Sequence, residues 1–411
     1  MEEQNNIKNN LEDFVKSYLS EEAHIKLKIN DQDVKDQNKE KINSYLRKFK
    51  EMISIILDLE INQNQDEELE NLFRDLPYFE GLKKISFSLK NGYIGMIGVQ
   101  IICQFLKKQQ ETEQFSINLI ENEIDCQSMI VIAKLLSQMR KIQNLAIELG
   151  VDQIDEEGAI FIGSLLSNNL NSLILNFQKN KIQEKGIQAI VTGLSNSNNL
   201  LALKLNLGGA NQKISDESVI ALGAVLINLK NLTYLLFCLQ QTYLNDQGAI
   251  AIGNGLSHLQ NLKVLELELW TNQIANEGAK EIGSLLTNFK GLKHLEISLD
   301  KNLIQDDGGN SILDGLSKCA DLQDLTLSLK NNLTTNEFNL KVSKCLSDLT
   351  KLEKLEIYLN EHCNYLKSNG LRYCDNLKFL KINFEVFQSR NLKKIVRNQA
   401  LKLLRLINLD C

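Results

Sequence analysis

The sequence predicts an α/β solenoid, horseshoe-like, with a parallel β-sheet on its concave side and α-helices on its convex side. Three observations carry that expectation. Openings of the form L-x-x-L-x-L-x-L recur at Leu82, Thr112, Ile142, Leu170, Leu200, Leu232, Leu262, Leu292, Leu322 and Leu352, spaced 28 to 32 residues apart. Within each unit the first third alternates apolar and polar residues, as a half-buried strand does, and the rest spaces apolar residues as an amphipathic helix does. A single Pro in 411 residues, Pro77, leaves almost no proline-marked linker to divide the chain. One strand and one helix cannot bury their own apolar faces, whereas stacked copies share a continuous core.

The elements follow in order. Residues 1–21 are expected to form an N-terminal cap, since NLEDFVKSYLS reads as a short amphipathic helix. Residues 22–411 then form about fourteen units, with degenerate copies beginning near Glu22 and Ser54 before the regular run and near Leu377 and Leu401 after it. The unit from Leu262 is typical: a strand with leucines at 265, 267 and 269, then Asn272 and Ile274, then a helix whose apolar face holds Ala279, Ile282, Leu285 and Leu286. Asp155, Asp246, Asn276 and Asp306 stand at helix starts, where a short polar side chain can accept from free backbone N–H groups. Gly158, Gly186, Gly248, Gly278 and Gly308 recur one turn later, where a missing side chain lets a helix approach its neighbour. The last stretch, Leu401 to Leu409, is either a worn final unit or an open strand edge covered by a partner.

The unit resembles the leucine-rich repeat, in its long, helix-containing, ribonuclease-inhibitor-like class. The match is L-x-x-L-x-L, then Asn122, Asn180, Asn272, Asn302 or Asn332, then an apolar residue, Gly and a helix. An added x-L before the Asn, at Leu119, Leu149, Phe177, Leu239, Leu269, Leu299 and Leu329, departs from the pattern and should lengthen the strand by one alternation. The resemblance implies that the Asn side chain ties the loop after the strand and that binding uses the concave face. It implies a non-enzymatic scaffold or subunit of a large assembly, in the cytoplasm, with cytoskeletal or ciliary settings among those the class occupies. The alternatives it leaves are a regulator of a small GTPase, since the class is also similar to Ran GTPase-activating proteins, or an inhibitor of a basic enzyme. The same solenoid hosts many functions, so the fold alone does not choose among them.

Composition narrows the field. Hydrophobic residues at 43% and charged residues at 24% are globular values. A formal charge of −6 gives no reason to expect nucleic acid or an acidic membrane as partner. No apolar run reaches the roughly 20 residues of a membrane-spanning helix, and the polar, acidic start MEEQNNIKNNLED resembles no signal or transit peptide. The eight cysteines are scattered without a CxxC, the usage of a reducing compartment. His362-Cys363 would need two further ligands to hold a metal, and none stands at a zinc spacing. The four histidines fall at unrelated phases of the repeat. Gly278 to Ser284 lacks the Lys of a phosphate-binding loop, and Gly253-Asn254-Gly255 lacks the third Gly of a dinucleotide turn. No catalytic set, cofactor, metal or small-molecule substrate is therefore expected.

What remains is the strand face. Residues between the leucines point away from the core. In the best-formed units those positions include Tyr234, Leu236 and Cys238, then Glu266, Glu268 and Trp270, then Glu296 and Asp300, Asp324, and Glu356 with Tyr358. Adjacent parallel strands lie about 4.8 Å apart, which places Glu266, Glu296 and Glu356 in one column with Glu268, Asp300 and Asp324 beside it. Six carboxylates against Lys330 and Lys354, with Tyr234, Trp270 and Tyr358 as aromatic anchors, read as a site for a basic segment of another protein. The competing reading is a solvated sheet face whose polar residues serve solubility.

Overall fold

The computed structural model of the chain describes residues 24–30, 44, 46, 52–60, 65–74, 76, 78–79, 81–89, 94–150, 154–166, 169–209, 213–360, 374 and 376–384. The expected cap in 1–21, the His362-Cys363 pair and the edge from Leu401 to Leu409 lie outside them. The chain divides into two compact units, Met1–Ser197 and Asn198–Cys411.

In the first unit, strands β1 (His24–Asn30), β2 (Ser54–Glu60), β3 (Lys84–Leu89), β4 (Gln114–Asn118), β5 (Asn144–Glu148) and β6 (Ser172–Asn176) pair in parallel and in chain order. Helices α1 (Gln65–Arg74), α2 (Met96–Leu106), α3 (Cys126–Leu136), α4 (Glu156–Leu165) and α5 (Gln183–Ser195) alternate with them from β2 onward. Phe73, Phe79, Phe87 and Phe105 meet edge-to-face in its core, with ring centroids 5.5 to 6.4 Å apart. In the second unit, β7 (Ala202–Asn206), β8 (Tyr234–Cys238), β9 (Val264–Glu268), β10 (His294–Ser298), β11 (Asp324–Ser328), β12 (Lys354–Leu359) and β13 (Phe379–Phe384) pair the same way. Its helices are α6 (Asp216–Leu226), α7 (Asp246–Leu256), α8 (Asn276–Leu286), α9 (Asp306–Leu316) and α10 (Asn336–Asp348). Each unit is thus an open parallel sheet alternating with helices, the α/β arrangement the repeat dictates.

The register explains why the pattern is so regular. Leu235, Leu265, Leu295, Leu325, Leu355 and Leu380 stand opposite one another across six strands and are all buried. A slip of one residue would turn that whole row to the other face. Each fully buried leucine is worth about 1.5–3 kcal/mol relative to an exposed one. The added leucines 239, 269, 299 and 329 are fully buried just past the strands, and their amides continue the ladder, as in Leu269 N–H to Ser298 O at 2.8 Å. The pattern's extra alternation therefore extends the pairing by one residue.

The asparagines close the loops. The Asn302 amide donates to Leu299 O of its own unit at 2.9 Å and to Leu269 O of the preceding one at 3.0 Å, and its oxygen accepts from Ile274 N–H at 3.0 Å. Asn122, Asn272 and Asn332 repeat the arrangement, while Asn180 keeps the two links to the preceding unit. The side chain thus ties neighbouring units together as well as its own loop. The residue before this position is left-handed at Glu121, Lys179, Gln241, Thr271, Lys301 and Asn331, with φ from 54° to 62°. That conformation costs most at β-branched Thr271.

The helix starts are also stitched from unit to unit. Asp155 caps its own helix, accepting from Gly158 N–H at 3.1 Å. Asp246 does not, because α7 is capped by Asn245. The Asp246 carboxylate instead accepts from Ala275 N–H at 2.7 Å and Gly278 N–H at 2.9 Å, capping α8. Asn276 in turn caps α9 through Gln305 and Gly308, and Asp306 accepts from Thr335 N–H at the start of α10. Glycine makes these approaches possible. A Cβ on Gly278 would stand 2.7 Å from the Asp246 carboxylate, and one on Gly283 would stand 2.2 Å from Ser311 O of the next helix. Both glycines of the loop-like motif Gly278–Ser284, and Gly253 with Gly255, lie within helices packed this way.

Candidate functional site: the strand face of the second unit

The alternation that buries the leucines holds the intervening side chains in three rows across β8 to β13. The first runs Tyr234, Val264, His294, Asp324, Lys354, Phe379, and the second Leu236, Glu266, Glu296, Thr326, Glu356, Lys381. The third holds Cys238, Glu268, Ser298, Ser328 and Tyr358. Glu266, Glu296 and Glu356 do share one row, with Thr326 between the latter two. Trp270 and Asp300 stand two residues beyond β9 and β10, and each is tied to the preceding repeat by a backbone bond, from Gln241 N–H to Trp270 O at 3.1 Å and from Thr271 N–H to Asp300 O at 2.6 Å.

The structure sorts the six predicted carboxylates, with Tyr234 and Tyr358, into two groups. Tyr234, Glu266, Glu268 and Glu296 form a compact acidic set on β8 to β10. The Tyr234 hydroxyl donates to Glu266 at 3.0 Å. Burial and then the charges of Glu266, Glu268 and Glu296 push its phenol well above the usual range. Burial, followed by the charges of Glu266, Glu268 and Glu356, holds the Glu296 carboxyl above the usual carboxylate range. No lysine, arginine or histidine lies within ion-pairing distance of Glu266, Glu268 or Glu296 among the described residues.

The other predicted carboxylates are already engaged. Asp324 meets His294 Nδ1 at 2.5 Å. Asp300 accepts from the Ser328 hydroxyl at 2.5 Å and from Lys330 N–H at 2.8 Å, so it anchors the next loop, although burial raises its pKa. Glu356 accepts from Lys354 at 2.8 Å and from the Tyr358 hydroxyl at 2.5 Å. Burial pushes Glu356 up, but those two hydrogen bonds outweigh it and hold the carboxyl below its ordinary value. Tyr358 in turn lies under the ammonium groups of Lys330 and Lys381, 5.4 and 5.6 Å from its ring centroid. The acidic field therefore centres on β9 and β10 and is balanced by cations at β12 and β13.

Three features escaped the sequence reading. Leu236 and Cys238, placed on the outward face, are buried: Cys238 is fully covered, and burial pushes its thiol well above the usual range. Lys381, which faces Glu356, stands in a degenerate unit whose register the sequence blurs. Tyr243, Leu303 and Leu333 are large apolar residues left exposed beside this face. Their signal was present, since the same repeat position holds Glu123, Lys181 and Gln273 elsewhere.

Cys103, Cys238, Cys319, Cys345 and Cys374 are buried, and burial raises the Cys103, Cys319 and Cys345 thiols to about 12. Such thiols behave as small hydrophobes. Among the described residues, no group of three His, Cys, Asp or Glu could hold a metal ion, and no helix is long and apolar enough to cross a membrane.

No family model matches the chain, and no curated protein matches it. Among solved structures it is similar to "Leiomodin-1 Actin-Binding Site 2 (ABS2)", at 16% sequence identity and a TM-score of 0.28, over 52% of this chain and 92% of that chain. A likeness at that score carries no functional argument.

Proposed function

We propose that the chain is a non-enzymatic protein-interaction module, a scaffold or assembly subunit, that holds a basic segment of a partner protein on the strand face of its second unit. The observation behind this reading is the stack of Glu266 and Glu296 on adjacent paired strands, with Glu268 beside them and no cation in ion-pairing range among the described residues. Like charges held in register raise the free energy of the unbound face, and lysine or arginine side chains of a partner would relieve it. Tyr234 and Trp270, both partly exposed, flank the stack and offer the aromatic area on which binding hot spots depend. The repeat array is taken to run through residues 22–411 behind a cap in 1–21, in a cytoplasmic setting that is cytoskeletal or ciliary by resemblance alone.

The test is capture of partners by the purified chain and by a Trp270→Ala, Glu266→Lys double variant. The wild-type chain should retain proteins through basic segments, released as salt is raised. A double variant that keeps every wild-type partner would overturn the reading.

A further inference from the structure

We infer that the partner segment is a basic amphipathic helix laid across the C-terminal ends of β8 to β11, its apolar side on Tyr243, Leu303 and Leu333 and its cations toward Glu266, Glu268 and Glu296. The basic chemistry rests on the proposed function; the helix and its seat are additional. Tyr243, Leu303 and Leu333 are 54%, 50% and 54% exposed. They occupy one position of successive loops, because Gln273 N–H bonds Leu244 O, Leu303 N–H bonds Ile274 O and Leu333 N–H bonds Ile304 O, each at 2.8 Å. Residues 243, 273, 303 and 333 are therefore adjacent rungs of one ladder, about 4.8 Å apart. Single exposed leucines are ordinary on a protein surface, but apolar residues on three of four consecutive rungs form a patch that marks a contact surface.

The spacing selects the occupant. A helix advances about 5.4 Å per turn, so residues at i, i+3, i+7 and i+10 present one side chain to each of the four rungs. An extended strand places same-side residues about 6.8 Å apart and falls out of step within two rungs. Three intervals span roughly 14 Å, which about ten helical residues cover. The acidic set lies on the same strands, just before these loops, so a helix crossing there meets apolar contacts on one flank and carboxylates on the other. Trp270, the only Trp of the chain, precedes the rung at Gln273 by three residues and reports on this seat.

The full chain is titrated with three synthetic peptides of about fourteen residues, followed by Trp270 fluorescence. The first carries Leu at helical spacing among Lys and Ala; the second scrambles it; the third replaces every Leu with Ala. The first should shift the Trp270 emission and bind at least about tenfold more tightly than the other two. The Leu303→Ser, Leu333→Ser variant, altered only at exposed positions, should lose that preference. Equal binding of all three peptides, or a preference that survives the double serine variant, overturns the helix and its seat while leaving the acidic face as a site. Absence of binding by every peptide at low salt overturns both.

Discussion

At the scale of single residues, the repeat exposes where one side chain departs from its column. Gln109 stands three residues before a unit start, where other units bury Phe79, Met139, Leu229, Leu259, Phe289 and Leu349. It is 1% exposed, and neither atom of its amide has a partner among the described residues. A desolvated, unpaired amide costs on the order of 1–3 kcal/mol. Gln109→Leu should therefore stabilise the protein by about that amount, read as a higher urea midpoint with an unchanged slope. Charge offers a second comparison, because Glu296 and Glu356 share a row and are shifted in opposite directions. A raised folded-state pKa means the native form binds the Glu296 proton more tightly than the unfolded chain. Ionising it thus removes stability as pH rises from the ordinary carboxylate range through the raised value. Glu356, shifted down, adds stability above the ordinary range that is lost as pH falls through its lowered value. Glu296→Gln should then be more stable than wild type at pH 7 and Glu356→Gln less stable, both gaps narrowing near about pH 4. Urea melts at the two pH values check both signs.

Helices and loops show which parts of the design can be read from a single repeat. Strand positions, the buried row and the closing asparagines were legible because each follows from periodicity inside one unit. The role of Asp246 was not. A sequence places it at the start of α7, yet its carboxylate closes the start of α8, thirty-two positions on at Gly278, and only the packed neighbours reveal this. Cys238 is covered and Asp300 is held by Ser328 and Lys330 for the same reason, since what a position on or just past a strand meets depends on what the adjacent strand and loop carry. Of the site, the acidic row was legible, whereas the hydrogen bond from Tyr358 to Glu356 and the register that sets Lys381 opposite Glu356 were not. The trans-capping gives a sharp expectation. Asp246→Ala should cost about 1–2 kcal/mol and speed hydrogen exchange at Ala275, just before α8, and at Gly278 in its first turn, while leaving Gly248 in α7 protected. Asn245→Ala should do the converse. Faster exchange confined to α7 in the Asp246 variant would refute the assignment.

Taken whole, each unit of this molecule is a chain of nearest neighbours. In the second unit β9 pairs only with β8 and β10, α8 packs on α7 and α9, and the Asn and Asp side chains reach one repeat away. Stability in such an array is a sum of repeat terms and interface terms, so damage should spread by adjacency rather than melt everything at once. Leu295 is a direct probe: it is 2% exposed in the middle of the buried row, between Leu265 and Leu325. Leu295→Ala should cost about 2–5 kcal/mol through lost burial and the cavity left behind. Native-state hydrogen exchange should show the largest loss of protection in β9, β10 and β11, and progressively less toward β7 and β13. The same gradient bears on binding, because a helix seated across β8 to β11 would bridge the interfaces this variant weakens. The first of the three titration peptides, at saturation, should therefore restore protection in β9 to β11 preferentially. A uniform loss across the unit would mean that its repeats open as one cooperative block, and the nearest-neighbour description would fail.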